Sequence, residues 1–306
     1  MSLTCATARA QQTEQSGQPA KSKPQRGVRP VTIPITIRVK GSKQPEVIPQ
    51  VSLVVREDGE EQKVLSVRGI EAAPLSVAVL VQDDLTASVN NQLRDVADFV
   101  RRLPRNSRVF VGYLRTGSLE VRQKFTNDLE RAAKALRPTV SFASAAPYNP
   151  YAEIADALKR FESLPAGRRA VLLVSDGVDI SRGSDIATMT HSIDLDRSIR
   201  EAQRYGVAVY SFYWPSVGTA ASSQLIVSGG QGALLRLSQE TGGRAFFQGT
   251  GAPVSFEPFL RDVTTAFAGQ LALTYLSTHP NKGYHRIEIT PGTPGIEINH
   301  PAGYTR

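Results

Sequence analysis

Acidic and hydroxyl side chains follow an apolar run near residue 80. The stretch LVQDDLTAS, residues 80 to 88, carries Asp83, Asp84, Thr86 and Ser88 behind the apolar sequence PLSVAVLV. A buried strand delivers polar side chains to the edge of a sheet in this way. Carboxylate and hydroxyl oxygens at alternate positions of a tight loop can converge on one hard cation such as Mg²⁺. The stretch is therefore a candidate cation site.

A second carboxylate ends another apolar run, AVLLVSD, in the sequence Ser175-Asp176-Gly177. Because the carboxyl ends of neighbouring parallel strands meet at one edge of a sheet, we expect Asp176 to approach Asp84. Asp83 and Asp179 are further candidate ligand-binding residues. A structural alternative stays open: Asp83 or Asp84 caps the helix that begins near Ser88, and Asp176 with Gly177 forms an ordinary strand-end turn.

The elements that must position these residues alternate between strands and helices. Near-continuous apolar runs cover 76–82, 108–114, 170–176 and 207–214, and amphipathic helical segments lie between them. Strands buried on both faces have this composition. Residues 74–268 are thus expected to form a doubly wound, mostly parallel, Rossmann-like α/β domain.

Strand patterns also occupy both ends of the chain. Residues 29–73 contain alternating runs that break at Asp58-Gly59, a dipeptide typical of a tight hairpin turn. Residues 269–306 return to strand pattern with Pro and Gly turns. We expect the two segments to form a small antiparallel β element, and the polar residues 1–28 to be a disordered tail or a signal-peptide remnant.

The strand-DDLTAS and strand-SDG motifs, in this order of elements, resemble a von Willebrand factor type A domain. In that family DxSxS, a Thr from a later loop and (S/T)DG form a metal-ion-dependent adhesion site. The flanking sequences VVREDGEEQKVLSV, SQETGGRAFF and GYHRIEI are similar to type A-related proteins of acidobacteria. The resemblance implies a bacterial, non-enzymatic, adhesion-type module that binds a protein ligand.

The ligand motif departs from the family pattern. Counted from the strand, the leading Asp falls on Gln82, and only a shift of two residues gives Asp84-x-Thr86-x-Ser88. The place of the loop Thr falls near Tyr151. The resemblance therefore implies a degenerate metal site formed by Asp84, Thr86, Ser88 and Asp176. We expect it to bind Mg²⁺ weakly or not at all, and we expect no other cofactor.

Enzyme alternatives find little support in the motifs. A haloacid-dehalogenase-like phosphohydrolase needs an Asp nucleophile where Gln82 stands, and an amide cannot form the acyl phosphate. The sequence has no GxSxG elbow and no Walker loop, and its four histidines lack metal-ligand spacing. The Gly-rich run 228–232 is expected to begin a helix. A structural component of the cell envelope is the main alternative to a binding module, and a metal-dependent hydrolase comes third.

Composition limits partners and compartment. The net charge is +8, but the basic residues are scattered, so we expect no nucleic-acid partner. No segment approaches the roughly 20 apolar residues of a membrane span. The single cysteine, Cys5, excludes an intramolecular disulfide. Ala8-Arg9-Ala10 resembles a signal-peptidase cleavage site, which predicts a secreted or periplasmic protein.

Overall fold

The computed structural model describes residues 28–41, 52–147, 149–179, 181, 186–220 and 223–306. Apart from Val28, the predicted tail 1–28 lies outside the described residues. Within the described residues the chain forms two β-sheets and a set of helices. None of these helices is long and apolar enough to cross a membrane.

The strands are short and follow the apolar runs of the sequence. They are β1 (Arg29–Val39), β2 (Leu53–Glu57), β3 (Glu60–Arg68), β4 (Leu75–Gln82), β5 (Arg108–Arg115), β6 (Ser118–Thr126), β7 (Arg168–Ser175), β8 (Ala208–Tyr213), β9 (Arg244–Phe246), β10 (Gln270–Ser277), β11 (Tyr284–Pro291), β12 (Ile296–Asn299) and β13 (Gly303–Thr305).

The α-helices occupy the segments between the central strands. They are α1 (Val89–Arg101), α2 (Leu129–Lys134), α3 (Pro150–Leu158), α4 (Ile186–Thr190), α5 (Ile193–Tyr205), α6 (Gln224–Glu240) and α7 (Glu257–Ala268).

A six-stranded mixed sheet forms the centre of the molecule, in the order β6-β5-β4-β7-β8-β9. All neighbours pair in parallel except β5 and β6, so β6 is an antiparallel edge strand. Every residue of β4, β7 and β8 is buried, because helices cover both faces of the sheet. The predicted mostly parallel, doubly wound sheet is confirmed.

Each face of the mixed sheet has its own apolar core. Helices α1, α2 and α7 pack on one face, where Phe99, Tyr210 and Phe267 belong to the same cluster. Helices α3, α5 and α6 pack on the other face, around residues such as Phe110 and Phe161. This three-layer arrangement fixes the position of every strand end.

The two ends of the chain pair in a second, antiparallel sheet with its own apolar core. Its order is β12-β1-β10-β3-β2-β11-β13, so amino-terminal and carboxyl-terminal strands alternate. Seven strands are far more than the small element that we predicted, because short, weakly apolar segments such as 296–299 also join it. The hairpin at Asp58-Gly59 is confirmed: both residues have positive φ angles, 51° and 87°.

The antiparallel sheet packs at the amino-terminal ends of the parallel strands. Arg168, the first residue of β7, donates a 2.7 Å hydrogen bond from Nε to the backbone oxygen of Gln270, the first residue of β10. The backbone amide of Ile37 likewise donates to the Gly269 oxygen. The opposite edge, where the parallel strands end, is left to the loops that carry the candidate site.

Candidate functional site

The polar motifs of the sequence meet where the strand order reverses. From β4 the chain proceeds to β5 on one side, whereas β7 pairs with β4 on the other. In open α/β sheets the crevice at such a point, beyond the carboxyl ends of the strands, is the usual ligand site. Gln82 ends β4 and Ser175 ends β7, so Asp84 and Asp176 follow them at this crevice.

Gln82 connects the two strand ends through its side-chain amide. Its Nε2 donates a 2.8 Å hydrogen bond to Asp84 Oδ1. Its Oε1 accepts hydrogen bonds from Ser175 Oγ at 2.6 Å and from the Asp176 backbone amide at 3.2 Å. All of these groups are buried. The structure thus brings Asp84 and Asp176 together, with a neutral amide between their strands.

The two carboxyl groups resist ionisation. Burial and the neighbouring charge of Asp176 raise the pKa of Asp84 to about 6, although the Gln82 hydrogen bond opposes the shift. Burial also raises the pKa of Asp176. Asp176 Oδ1 accepts from the Val178 amide at 3.0 Å, and Oδ2 accepts from Thr219 Oγ1 at 3.2 Å. Hydrogen bonds therefore offset part of the cost of burying these groups.

Asp83 lies on a separate ion pair. Arg137 holds its carboxylate with two hydrogen bonds, of 2.7 Å to Oδ1 and 3.0 Å to Oδ2. The Val140 amide donates to Oδ1 at 3.0 Å, and Arg115 lies 3.4 Å from Oδ2. A planar guanidinium matches a carboxylate in this fork geometry. Asp83 consequently anchors the segment that contains residues 137–140.

The helix-cap interpretation of Asp83 and Asp84 is wrong. Ser88 is the N-cap residue of α1, and no side chain accepts a capping hydrogen bond there. The carboxylates are engaged instead with Arg137 and with Gln82. Sequence distance alone suggested a local capping contact, but partners from other elements compete for the same oxygens.

The two hydroxyl residues lie beside a buried indole. Trp214 Nε1 donates a 2.9 Å hydrogen bond to Thr86 Oγ1. Thr86 Oγ1 and Ser88 Oγ are 3.4 Å apart, and Ser88 is exposed. Thr86 thus satisfies the only N–H donor of the Trp214 side chain, which links the loop after β4 to the loop after β8.

Asp179 and Tyr151 take up structural positions near the same loop. Asp179 is buried, and its Oδ1 accepts from the backbone amide and the hydroxyl of Ser181 at 3.0 and 2.6 Å. Tyr151, near which the family pattern would place a Thr, is buried within α3. Its hydroxyl donates to the Gly177 oxygen at 2.7 Å.

Close packing of two glycines fixes the loop after β7. A Cβ at Gly230 would lie 2.3 Å from the Asp176 oxygen, and one at Gly177, where φ is +70°, would lie 2.4 Å from the Gly230 oxygen. The run 228–232 therefore lies inside α6 and does not begin it, which corrects our expectation. Its glycines let the helix backbone approach the carboxylate loop.

Sequence reasoning missed Thr219 and Glu153. Thr219 follows β8, and its position after a third parallel strand is the signal that would have placed it at this edge. Glu153 lies on α3, where its Oε2 accepts from the Arg115 amide at 2.7 Å and burial raises its pKa to about 7. No motif marks Glu153; only its place on an otherwise apolar helix indicates burial.

The side chains present do not fit a resident Mg²⁺. An octahedral ion needs oxygen lone pairs directed at one point. Asp84 Oδ1 faces the N–H of Gln82, Thr86 Oγ1 faces the indole N–H of Trp214, and both oxygens of Asp176 accept hydrogen bonds. In the part of the chain that the structure describes, no three His, Cys, Asp or Glu side chains are grouped to hold a metal ion.

Exposed apolar side chains flank this closed polar centre. Val217 donates its backbone amide to the Asp84 oxygen at 2.9 Å, and its side chain is 40% exposed. Phe142 follows Ser141, whose amide donates to the Asp83 oxygen at 3.0 Å, and Phe142 is 67% exposed. Two loops at the crevice thus present apolar groups to solvent.

Strand order, helix placement and the crevice define a doubly wound α/β domain with a polar centre at its topological switch point. No protein-family model matches the sequence, and no curated protein does.

Several solved structures are similar to the chain. An aerotolerance-related membrane protein from Bacteroides fragilis is 11% identical and aligns over 63% of this chain and 98% of its own, with a TM-score of 0.44. For BatB from Bacteroides thetaiotaomicron the values are 11%, 64%, 96% and 0.43. For a von Willebrand factor type A protein from Catenulispora acidiphila they are 11%, 89%, 74% and 0.47. Since these TM-scores are below 0.5, the fold description depends on the strand order and helix placement given above.

Proposed function

We propose that this chain is a non-enzymatic protein-binding module of von Willebrand factor type A-like design, and that it binds its ligand without a shared metal ion. The observation that carries the proposal is the exposure of Phe142 and Val217 beside the buried Asp83 and Asp84. Exposed apolar groups next to a polar crevice are typical of protein-binding surfaces. The resemblance to acidobacterial type A-related proteins with a degenerate adhesion site belongs to this proposal.

The same observation favours binding over a purely structural role in the envelope. A structural component has no need of exposed aromatic side chains at the carboxyl edge of its sheet. An enzyme is disfavoured because the titratable groups at the crevice are enclosed: Asp84 and Asp176 are each only 2% exposed. A substrate therefore has no direct access to them. A hydrolase that uses a metal would need the ligand set that Gln82 interrupts.

The binding test is a pull-down from envelope extract of the source organism, in Mg²⁺ and in chelator. We expect one set of partners to be retained under both conditions and lost with the double variant Phe142→Ser, Val217→Ser. Leu65→Ser is the matched control, because Leu65 is 46% exposed but lies on β3 of the antiparallel sheet. Retention by the double variant, or loss by the control as well, would refute this surface.

We further propose that the protein acts outside the cytoplasm, on the evidence of Ala8-Arg9-Ala10 alone. Protein purified from its own host should then begin near Gln11. Amino-terminal sequencing that recovers intact Met1 from a cytoplasmic fraction would refute export without touching the binding proposal.

A further inference from the structure

Arg168 is a buried cation that lacks an anionic partner. Its side chain is 1% exposed, and its Nε and Nη2 donate to the backbone oxygens of Gln270 and Phe267. Its Nη1 is buried and has no hydrogen-bond partner among the described residues. Burial lowers the pKa of Arg168 to about 10, and no carboxylate contributes to offset the shift. A guanidinium in this state is an incomplete ion pair.

A cavity of about 810 Å³ opens beside this guanidinium, between α1 and α7. Phe99, Leu103, Leu260 and Phe267 contribute apolar surface, and Arg168 is also among its lining residues. Its volume lies in the range of about 300–1,000 Å³ that is typical of small-molecule sites. The cavity therefore combines a largely apolar wall with one unsatisfied cationic donor.

Acidic residues at the rim do not supply the missing charge. Asp98 pairs with Arg101 at 2.7 Å, and Glu257 pairs with Arg261 at 2.6 Å. Asp95 also lines the cavity, but so does the cationic Arg102. With these charges balanced, the guanidinium of Arg168 is left to attract an anion.

We propose that this cavity binds a monocarboxylate with an extended apolar tail, such as a free fatty acid. One unsatisfied nitrogen and one uncompensated charge match a single carboxylate group, and the apolar wall matches a hydrocarbon tail. Arg168 also joins β7 to the end of α7 and the start of β10, so an occupied cavity stabilises the junction of the two sheets. This site is remote from the crevice that carries the proposed function.

The direct test is titration calorimetry with dodecanoate below its critical micelle concentration, against dodecanol and dodecyltrimethylammonium. These probes share the alkyl chain and differ in charge. We expect dodecanoate to bind at least about tenfold more tightly than dodecanol, which is the size of effect expected for a hydrogen bond to a charged group. Equal affinity for dodecanoate and dodecanol, or a preference for the cation, would overturn the proposal.

Variants then locate the site. Thr264→Trp places a large side chain at the exposed wall of the cavity and is expected to abolish dodecanoate binding without altering Arg168. Arg168→Met is expected to leave dodecanoate no tighter than dodecanol. The matched control is Arg169→Met: Arg169 is also a buried arginine with a pKa lowered to about 10, but it donates to Tyr205 and Leu164 and does not line the cavity. If Arg168→Met fails to fold, Thr264→Trp decides, because unchanged binding there would refute the location.

Discussion

Gln82 Nε2 lies 2.8 Å from Asp84 Oδ1 and donates a hydrogen bond to it. An amide N–H thus contacts the carboxylate oxygen that a divalent ion would otherwise use, and it does so without adding charge. The same amide accepts from Ser175, so one neutral side chain joins the ends of β4 and β7. Several consequences for metal binding and stability can be measured.

Metal affinity is expected to be millimolar or absent. Losing an anionic ligand weakens a site that relies on carboxylates to offset the dehydration of Mg²⁺. The measurement is titration calorimetry with Mg²⁺ and Mn²⁺ on the unaltered protein, Asp84→Ala and Asp176→Ala. Micromolar binding that either substitution abolishes would contradict the degenerate-site hypothesis. Loss of folding in these variants, with no metal effect in the parent, would assign the carboxylates to loop structure.

Gln82→Asp should create a response to Mg²⁺ that the parent lacks. The substitution removes the amide between Asp84 and Ser175 and adds a third carboxylate, so we expect a loss of about 3 kcal/mol or more in chelator. Mg²⁺ should restore much of this stability, as measured by urea unfolding. Gln203→Asp is the control, since Gln203 is also buried and donates to the Glu240 oxygen at 3.1 Å. It should lose stability without recovery in Mg²⁺; equal recovery would argue against a local effect.

Asp84 should make the protein more stable on mild acidification. Its folded-state pKa is raised from 3.8 to about 6, chiefly by burial, so the folded state binds the proton more tightly than the unfolded chain. This contribution is complete below pH of about 4 and is lost as pH rises through about 6. Asp84→Asn should therefore raise the free energy of unfolding at neutral pH and flatten its pH dependence. The exposed Asp98→Asn should leave the profile unchanged; an identical profile for Asp84→Asn would exclude this assignment.

Two histidines of the antiparallel sheet should titrate in opposite directions. His285 Nδ1 faces Asp58 Oδ2 at 2.7 Å and Nε2 faces the Asn281 oxygen at 3.0 Å. Both nitrogens face acceptors, which favours the doubly protonated ring. Burial opposes this charge, but the hydrogen bonds and Asp58 outweigh it and raise the pKa of His285 above 6.5. Burial instead lowers the pKa of His300 below 6.5.

An NMR titration of the histidine rings measures both values, and Asp58→Asn should move only the His285 midpoint downward. The stability that His285 contributes is present at acidic pH and is lost as pH rises through its raised pKa. Coincident midpoints for the two rings would show that the Asp58 contact does not form in solution. Our sequence-based view of all four histidines as surface or turn residues is wrong for His285, which is 5% exposed.

Local sequence determined the secondary elements and one edge of the sheet. Apolar runs of strand length, amphipathic helices between them and the Asp58-Gly59 turn are local patterns, and each is confirmed. Because parallel strands end at a common edge, Asp84 and Asp176 were also expected to meet there. These conclusions depend on periodicity over a few residues.

Tertiary structure alone decided what each carboxylate contacts and how large the second sheet is. Arg137 reaches Asp83 from 54 positions away, and Ser277 bonds to Glu57 across 220 positions. No local pattern encodes such contacts, because they depend on which strands become neighbours and which partners compete for each buried oxygen. Arg168 shows the same limit: its sequence position indicated a turn, but packing of the two sheets buries it beside a cavity.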